Sequence, residues 1–216
     1  MTGISPGASR YALFESYSDL YRKDTQTGLL SLIAQVPSPG HSISPTTYQN
    51  ALSHDGNRIM LNTSVYSLSA GGTLATVSGQ AMSLSGDGNW WLTCDSVGSS
   101  LAYTLRNVNN GSSQTISSTS GATYGLEGDL SDDGRYCVVG LNDVSGVSGD
   151  TNGKLDIYVY DRVSQTKRLV SSGGAAFHSG MPTISGNGST IAWIEEVTGS
   201  GPAHEGRLFV RKNPFF

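Results

Sequence analysis

Charge is scarce in this chain. Asp, Glu, Lys and Arg together make up 14% of its 216 residues, and they sum to a net charge of −4. No cluster of Lys and Arg forms; the nearest approach is Arg207, Arg211 and Lys212. A nucleic-acid backbone is held by clustered cations, so the composition argues against nucleic acid as a partner. Cysteine is nearly absent, with only Cys94 and Cys137, and neither a CxxC pair nor a Cys/His zinc spacing exists. The two thiols fall at different depths of the repeat described below, so they read as small buried strand residues rather than a disulfide. No apolar run is long enough to cross a membrane, which argues against membrane insertion. Met1-Thr2-Gly3-Ile4-Ser5 opens without a basic region followed by an apolar one, so the chain as given shows no signal peptide. The expected settings are the cytoplasm, a virion, or a domain excised from an exported protein. HExxH and a glycine-rich phosphate loop leading from strand to helix are both missing.

Glycine, by contrast, is abundant at 28 residues, and it is ordered into a repeat. Leu130-Ser131-Asp132-Asp133-Gly134-Arg135-Tyr136 recurs as Leu52-Ser53-His54-Asp55-Gly56-Asn57-Arg58, as Leu84-Ser85-Gly86-Asp87-Gly88-Asn89-Trp90 and as Ile184-Ser185-Gly186-Asn187-Gly188-Ser189-Thr190. A degenerate copy opens the chain at Ile4-Ser5-Pro6-Gly7-Ala8-Ser9-Arg10. Asp-Gly is a hairpin signal, because glycine takes positive φ without a Cβ clash and Asp bonds its own turn backbone. The copies start at residues 4, 52, 84, 130 and 184, and repeats of this length built from short strands point to propeller blades.

Each turn sits between a short inner strand and a second, apolar strand. Second strands are expected at residues 10–15, 58–62, 90–94, 135–141 and 190–195, rich in Val, Ile, Tyr, Trp and Leu as strands buried on both faces are. Residues 19–24 align without a gap on 156–161 as third strands, and polar connections lead on to fourth strands. The expected fold is all-β: a β-propeller of five four-stranded blades, the last lacking its outer strand. The blades divide the chain at about 1–46, 47–79, 80–123, 124–177 and 178–216. The Leu-Ser-Asp-Asp-Gly-Arg-Tyr and Asp-Ile-Tyr-Val-Tyr-Asp-Arg phrases resemble the TolB-like β-propeller family, relatives of WD repeats. In that family a Ser-Pro-Asp-Gly turn precedes an apolar strand. Here proline survives only as Pro6, where Gly-Ala replaces Asp-Gly. The resemblance implies a propeller and commonly a binding role. It implies no reaction, since the fold hosts many functions.

Candidate functional residues are few. Glu127 and Asp129 are two apart on one inner strand, share a face, and are expected to line the central channel. His178 enters another inner strand and can face the same channel. The regular turn acids Asp55, Asp87 and Asp133 read as turn chemistry rather than a carboxylate ring. Asp150, Asn152 and Asp156 place oxygens around Gly153 as a calcium loop does, so calcium is a candidate ligand. The loop is two residues short of the calcium-hand pattern, and no Glu closes it. Trp90-Trp91 must point to opposite sides of a strand, which suits packing between blades; a sugar-stacking platform is the sharper alternative.

The function expected from these features is a non-enzymatic binding or assembly module that engages a protein or a glycan through a propeller face or blade edge. The alternatives are a glycan-active hydrolase or lyase using channel carboxylates, and a structural component of a larger particle such as a virion or an extracellular layer. The last blade is expected to expose an unpaired edge. Phe215 and Phe216 would then anchor the tail on a neighbouring subunit or flanking domain, supporting an oligomer or assembly.

Overall fold

The structure is a computed structural model, and it describes residues 10–16, 19–35, 51–61, 63–77, 79–97, 100–120, 127–142, 149–172, 178–196 and 206–216. Among these residues every regular element is a strand, and the strands form five antiparallel sheets. Sheet one is β1 (Tyr11–Ser16), β2 (Asp19–Asp24) and β3 (Leu30–Gln35); sheet two is β4 (Arg58–Leu61), β5 (Ser64–Ser67) and β6 (Gly72–Thr76). Sheet three is β7 (Gln80–Leu84), β8 (Trp90–Val97), β9 (Ser100–Asn107) and β10 (Ser113–Ser120). Sheet four is β11 (Gly128–Leu130), β12 (Tyr136–Leu141), β13 (Asp156–Asp161) and β14 (Thr166–Leu169). Sheet five is β15 (Ser179–Ile184), β16 (Thr190–Glu196) and β17 (Gly206–Lys212). Within each sheet the strands lie in chain order, so every connection is to a neighbour.

Among the described residues sheet five has no strand outside β17, as the sequence predicts. The predicted inner strand of the first repeat lies outside the described residues. The predicted inner strand of the second shrinks to a single bridge between Leu52 and Ile59 among the described residues.

The repeated turn explains why the strands begin where they do. In sheet four Ser131 Oγ donates to Asp133 Oδ1 at 2.7 Å and accepts from the Tyr136 amide at 3.0 Å, while Asp133 Oδ1 accepts from the Arg135 amide at 2.9 Å. Ser53 with Asp55, Ser85 with Asp87 and Ser185 with Asn187 repeat the same network. The turn acids are spent on their own backbone, as Asx turns are.

Residues then alternate between two cores. In β12, Cys137 and Val139 pack with Leu92, Tyr103 and Leu105 of sheet three; Tyr136 and Val138 pack with Ile184, Ile191 and Trp193 of sheet five. Trp91 serves the core shared with Met60 and Val65 of sheet two, while its neighbour Leu92 faces sheet four. Leu13 and Leu20 meet Leu52 and Ile59 between sheets one and two. Period-two alternation with both faces apolar is what stacked sheets require. Cys94 and Cys137 are free and buried in this packing.

Sheet one corrects the alignment of the first repeat. Tyr11 pairs with Asp24 as Tyr136 pairs with Asp161, and Arg10 binds Asp24 as Arg135 binds Asp161. Counting from the turn motif aligns Arg10 with Tyr136 instead. The first copy is therefore one residue longer ahead of its strand, whereas the gapless match of 19–24 on 156–161 holds.

Candidate functional site

The inner strands β7, β11 and β15 meet around one carboxylate. Asp129 is 1% exposed. Its Oδ1 accepts from Ser83 Oγ at 3.0 Å and from the Leu130 amide at 2.8 Å; its Oδ2 accepts from Thr183 Oγ1 at 2.8 Å and from the Ile184 amide at 3.1 Å. Ser83 belongs to sheet three and Thr183 to sheet five, so one side chain of sheet four ties three sheets together. Burial pushes the Asp129 carboxyl above the usual range, and the four hydrogen bonds oppose the shift.

Glu127 shares the face, as the spacing predicts. Its Oε2 accepts from the Met181 amide. Met181 has φ +53°, in the left-handed region, and β15 loses register with β16 between Gly180 and Thr183. Glu127 and Asp129 thus grip both ends of an irregular stretch of β15. Each Asp129 oxygen already serves two donors, and Glu127 holds a strained amide. The pair acts as a clamp on β15.

His178 lies at the entry to β15, where its Nδ1 accepts from the Leu155 amide at 2.9 Å. It joins sheet five to the loop ahead of β13.

A second polar contact crosses the turn end of the inner strands, and sequence reasoning missed it. His54 Nε2 lies 3.3 Å from Asp132 Oδ1, reaching from the turn of sheet two to that of sheet four. It passes over Gly86 of sheet three, where a Cβ would stand 2.6 Å from His54 Cε1 and 2.7 Å from Asp132 Oδ1; a Cβ on Gly186 would collide with the same carboxylate. The signal was present: the second turn position holds His and Asp in two copies and Gly in two others. Burial raises the Asp132 pKa, His54 opposes this, and Asp133 and Asp87 add to it. Backbone bonds run along the same turns, His54 N to Gly86 O at 2.7 Å and Asp132 N to Gly186 O at 2.8 Å.

The calcium candidates have separate partners. Asn152 Oδ1 accepts from the Lys154 amide at 2.6 Å, Asp150 Oδ2 accepts from the Tyr158 hydroxyl, and Asp156 Oδ1 accepts from Ser171 Oγ. Asp150 Oδ1 and Asp156 Oδ2 are buried without a hydrogen-bond partner, a state that would suit a hard cation. Among the described residues, however, no three His, Cys, Asp or Glu side chains gather as a metal-ligand set. Six to eight oxygens are the usual calcium shell, so two carboxylate oxygens fit the ion poorly.

The tail departs from expectation. Phe215 and Phe216 lie against Tyr136 of sheet four in the same chain, with ring centroids 6.0 Å and 5.6 Å away. Arg168 of β14 stacks over Phe215 at 4.3 Å and donates to the Pro214 carbonyl. Asn213, 1% exposed, donates to the Gly188 carbonyl at 2.7 Å and accepts from the Phe215 amide at 3.0 Å. The anchor expected to reach a neighbour is used inside the chain, because the turn at Asn213 folds the two rings back onto sheet four.

No protein-family model and no curated protein sequence matches the chain. Solved structures do. The chain is similar to the putative TolB of Agrobacterium tumefaciens at 16% identity and TM-score 0.58, over 96% of this chain and 76% of that one. It is similar to TolB of Acinetobacter baumannii at 17% identity and TM-score 0.56, over 97% of this chain and 51% of that one. The β-propeller domain of the trilobed protease from Pyrococcus furiosus, which has an open velcro topology, matches at 9% identity and TM-score 0.51, over 91% of this chain and 60% of that one. The chain thus spans 76% and 51% of the two TolB structures. At these identities the likeness concerns fold, and with the five antiparallel sheets and their repeated turn it gives the result: this chain has a TolB-like β-propeller fold.

Proposed function

We propose that the chain is a non-enzymatic binding or assembly module whose partner is a protein. The observation that carries this reading is the state of the axial carboxylates. Asp129 spends both oxygens on Ser83, Leu130, Thr183 and Ile184, and Glu127 spends one on Met181, so the acids a hydrolase or lyase would need are holding β15. The aromatic platform a glycan would use is also committed. Trp91 and Trp193 are each 1% exposed, and Trp90 lies under Arg162 at 4.1 Å. What the surface does offer is apolar: Leu208 is 71% exposed and Val210 60%. Exposed apolar area of this kind marks protein contacts more often than sugar contacts. A place in a larger particle is the assembly form of the same reading.

The test is incubation with panels of oligosaccharides and peptides, followed by mass spectrometry. The expected result is no product. Release of a product by the wild type, abolished by Glu127→Gln, would overturn the reading in favour of an enzyme.

A further inference from the structure

Where Asp or Asn precedes Gly, the glycine amide nitrogen can attack the side chain before it, because no Cβ shields that nitrogen. Six such steps occur in the chain, at residues 55–56, 87–88, 110–111, 133–134, 152–153 and 187–188. Their glycines share one conformation, with φ between +61° and +75°. They differ in what the glycine amide does.

In the repeated turn the amide is engaged. Gly56, Gly88, Gly134 and Gly188 donate to the carbonyls of Ser53, Ser85, Ser131 and Ser185 at 2.9, 2.8, 2.9 and 2.7 Å. Gly111, in the hairpin between β9 and β10, donates to the Asn107 carbonyl at 3.0 Å. The loop ahead of β13 lacks this bond: no described residue accepts from the Gly153 amide. Gly153 is exposed, so hydroxide reaches its N–H. Gly111 is exposed too, and exposure is therefore not what sets the two apart.

The electrophile is prepared alike in the three asparagines. Asn152 Oδ1 accepts from the Lys154 amide at 2.6 Å, Asn110 Oδ1 from the Ser112 amide at 2.9 Å and Asn187 Oδ1 from the Ser189 amide at 3.0 Å. Such a donor stabilises the negative charge that gathers on this oxygen when Cγ is attacked, and it lies closest at Asn152.

We propose that Asn152 is a site of spontaneous deamidation, selected among the three Asn-Gly steps by the unengaged amide of Gly153. Hydroxide takes the proton of the Gly153 amide, and the nitrogen forms a bond to Asn152 Cγ. The Cγ–Nδ2 bond breaks, and ammonia leaves with a proton taken from water. Water then opens the five-membered succinimide at either carbonyl, which gives aspartate or isoaspartate; nothing is oxidised or reduced. At residues 111 and 188 the N–H must first leave its carbonyl acceptor, so the turn protects those steps. The product places a carboxylate at residue 152, two positions from Asp150, whose Oδ1 is already buried without a partner. The isoaspartyl form also adds a carbon to the backbone path into β13. The site is independent of the binding-module reading.

The experiment ages the full chain in mildly alkaline buffer, folded and in concentrated urea. Peptide mass spectrometry reads the aspartyl and isoaspartyl products at residues 110, 152 and 187 over time. In the folded chain Asn152 is expected to react roughly fivefold faster than Asn110 and Asn187, the factor that one hydrogen bond of ordinary net strength supplies. In urea every glycine amide is released, and the three rates are expected to converge. Equal rates in the folded chain would overturn the proposal, as would a lead taken by Asn110 or Asn187. A lead of Asn152 that persists undiminished in urea would also overturn it, since the local sequence rather than the fold would then be the cause.

Discussion

Asp129 and Asp161 are both buried carboxylates, and their surroundings push them in opposite directions. For Asp129 burial dominates and raises the pKa. The folded form therefore holds its proton at a pH where the unfolded chain, with an ordinary value near 4, has lost it. Its contribution to stability is full below that ordinary value and declines as pH rises toward the folded value. Asp129→Asn should remove this slope and, by leaving the Ile184 amide facing an amide donor, cost about 2–3 kcal/mol. Urea unfolding from pH 4 to 7 for both proteins checks it; an unchanged slope would show that Asp129 is not the titrating group. Burial alone would also raise Asp161, but Arg135, the Val163 amide and Ser164 bring it below the usual range. Asp24, held by Arg10 against burial and helped by the Gln26 and Thr27 amides, is lowered as well. For these two the contribution is present above the ordinary carboxylate value and is lost as pH falls below it. Arg135→Ala should flatten the acid side of the melting curve between about pH 4 and 2, and a melting series over that range is the measurement.

At the scale of elements, turns and loops carry what the strands do not. The second position of the repeated turn sets whether a side chain crosses the axis or makes room for one that does. Gly86→Ala should displace the His54–Asp132 pair and destabilise the chain. Most of that loss should disappear in a His54→Ala background, where the half-exposed pair, worth less than about 1 kcal/mol, is already gone and no imidazole stands over residue 86. A double-mutant cycle by urea unfolding measures the coupling, and additive effects would show that the glycine matters for another reason. The loop at residues 149–156 makes a contrasting case. Asp150, Asn152 and Asp156 each have a protein donor, so melting temperatures in excess EDTA and in millimolar calcium are expected to coincide. A rise with calcium that Asp150→Ala removes would reinstate the ion.

For the whole molecule, the ends of the stack decide what remains available to a partner. The tail is a clasp between sheets five and four, so deleting residues 213–216 should lower stability by about 2–3 kcal/mol through the lost Asn213 bonds and the aromatic contacts on Tyr136. Light scattering should show an unchanged mass; a change of mass with unchanged stability would return the tail to an intermolecular role. Strand type, order and most strand bounds were legible in the sequence because they depend on local chemistry. Ser-x-Asp-Gly closes its own turn, and an apolar run behind it with period-two alternation has no choice but to be a strand between two cores. The shared face of Glu127 and Asp129 was legible for the same reason. Their partners were not, because Ser83 and Thr183 lie 46 and 54 positions from Asp129, and only the stacking of sheets three, four and five brings them to it. The same holds for His54 over Gly86, for Phe215 on Tyr136, and for the one-residue offset of the first repeat, which shows only in the pairing of β1 with β2. The sequence by itself determined the repeat and the faces of its strands, since both follow from neighbours along the chain. The tertiary structure alone decided which polar groups are spent, and that Leu208 and Val210 stay uncovered, since burial depends on which sheet arrives next.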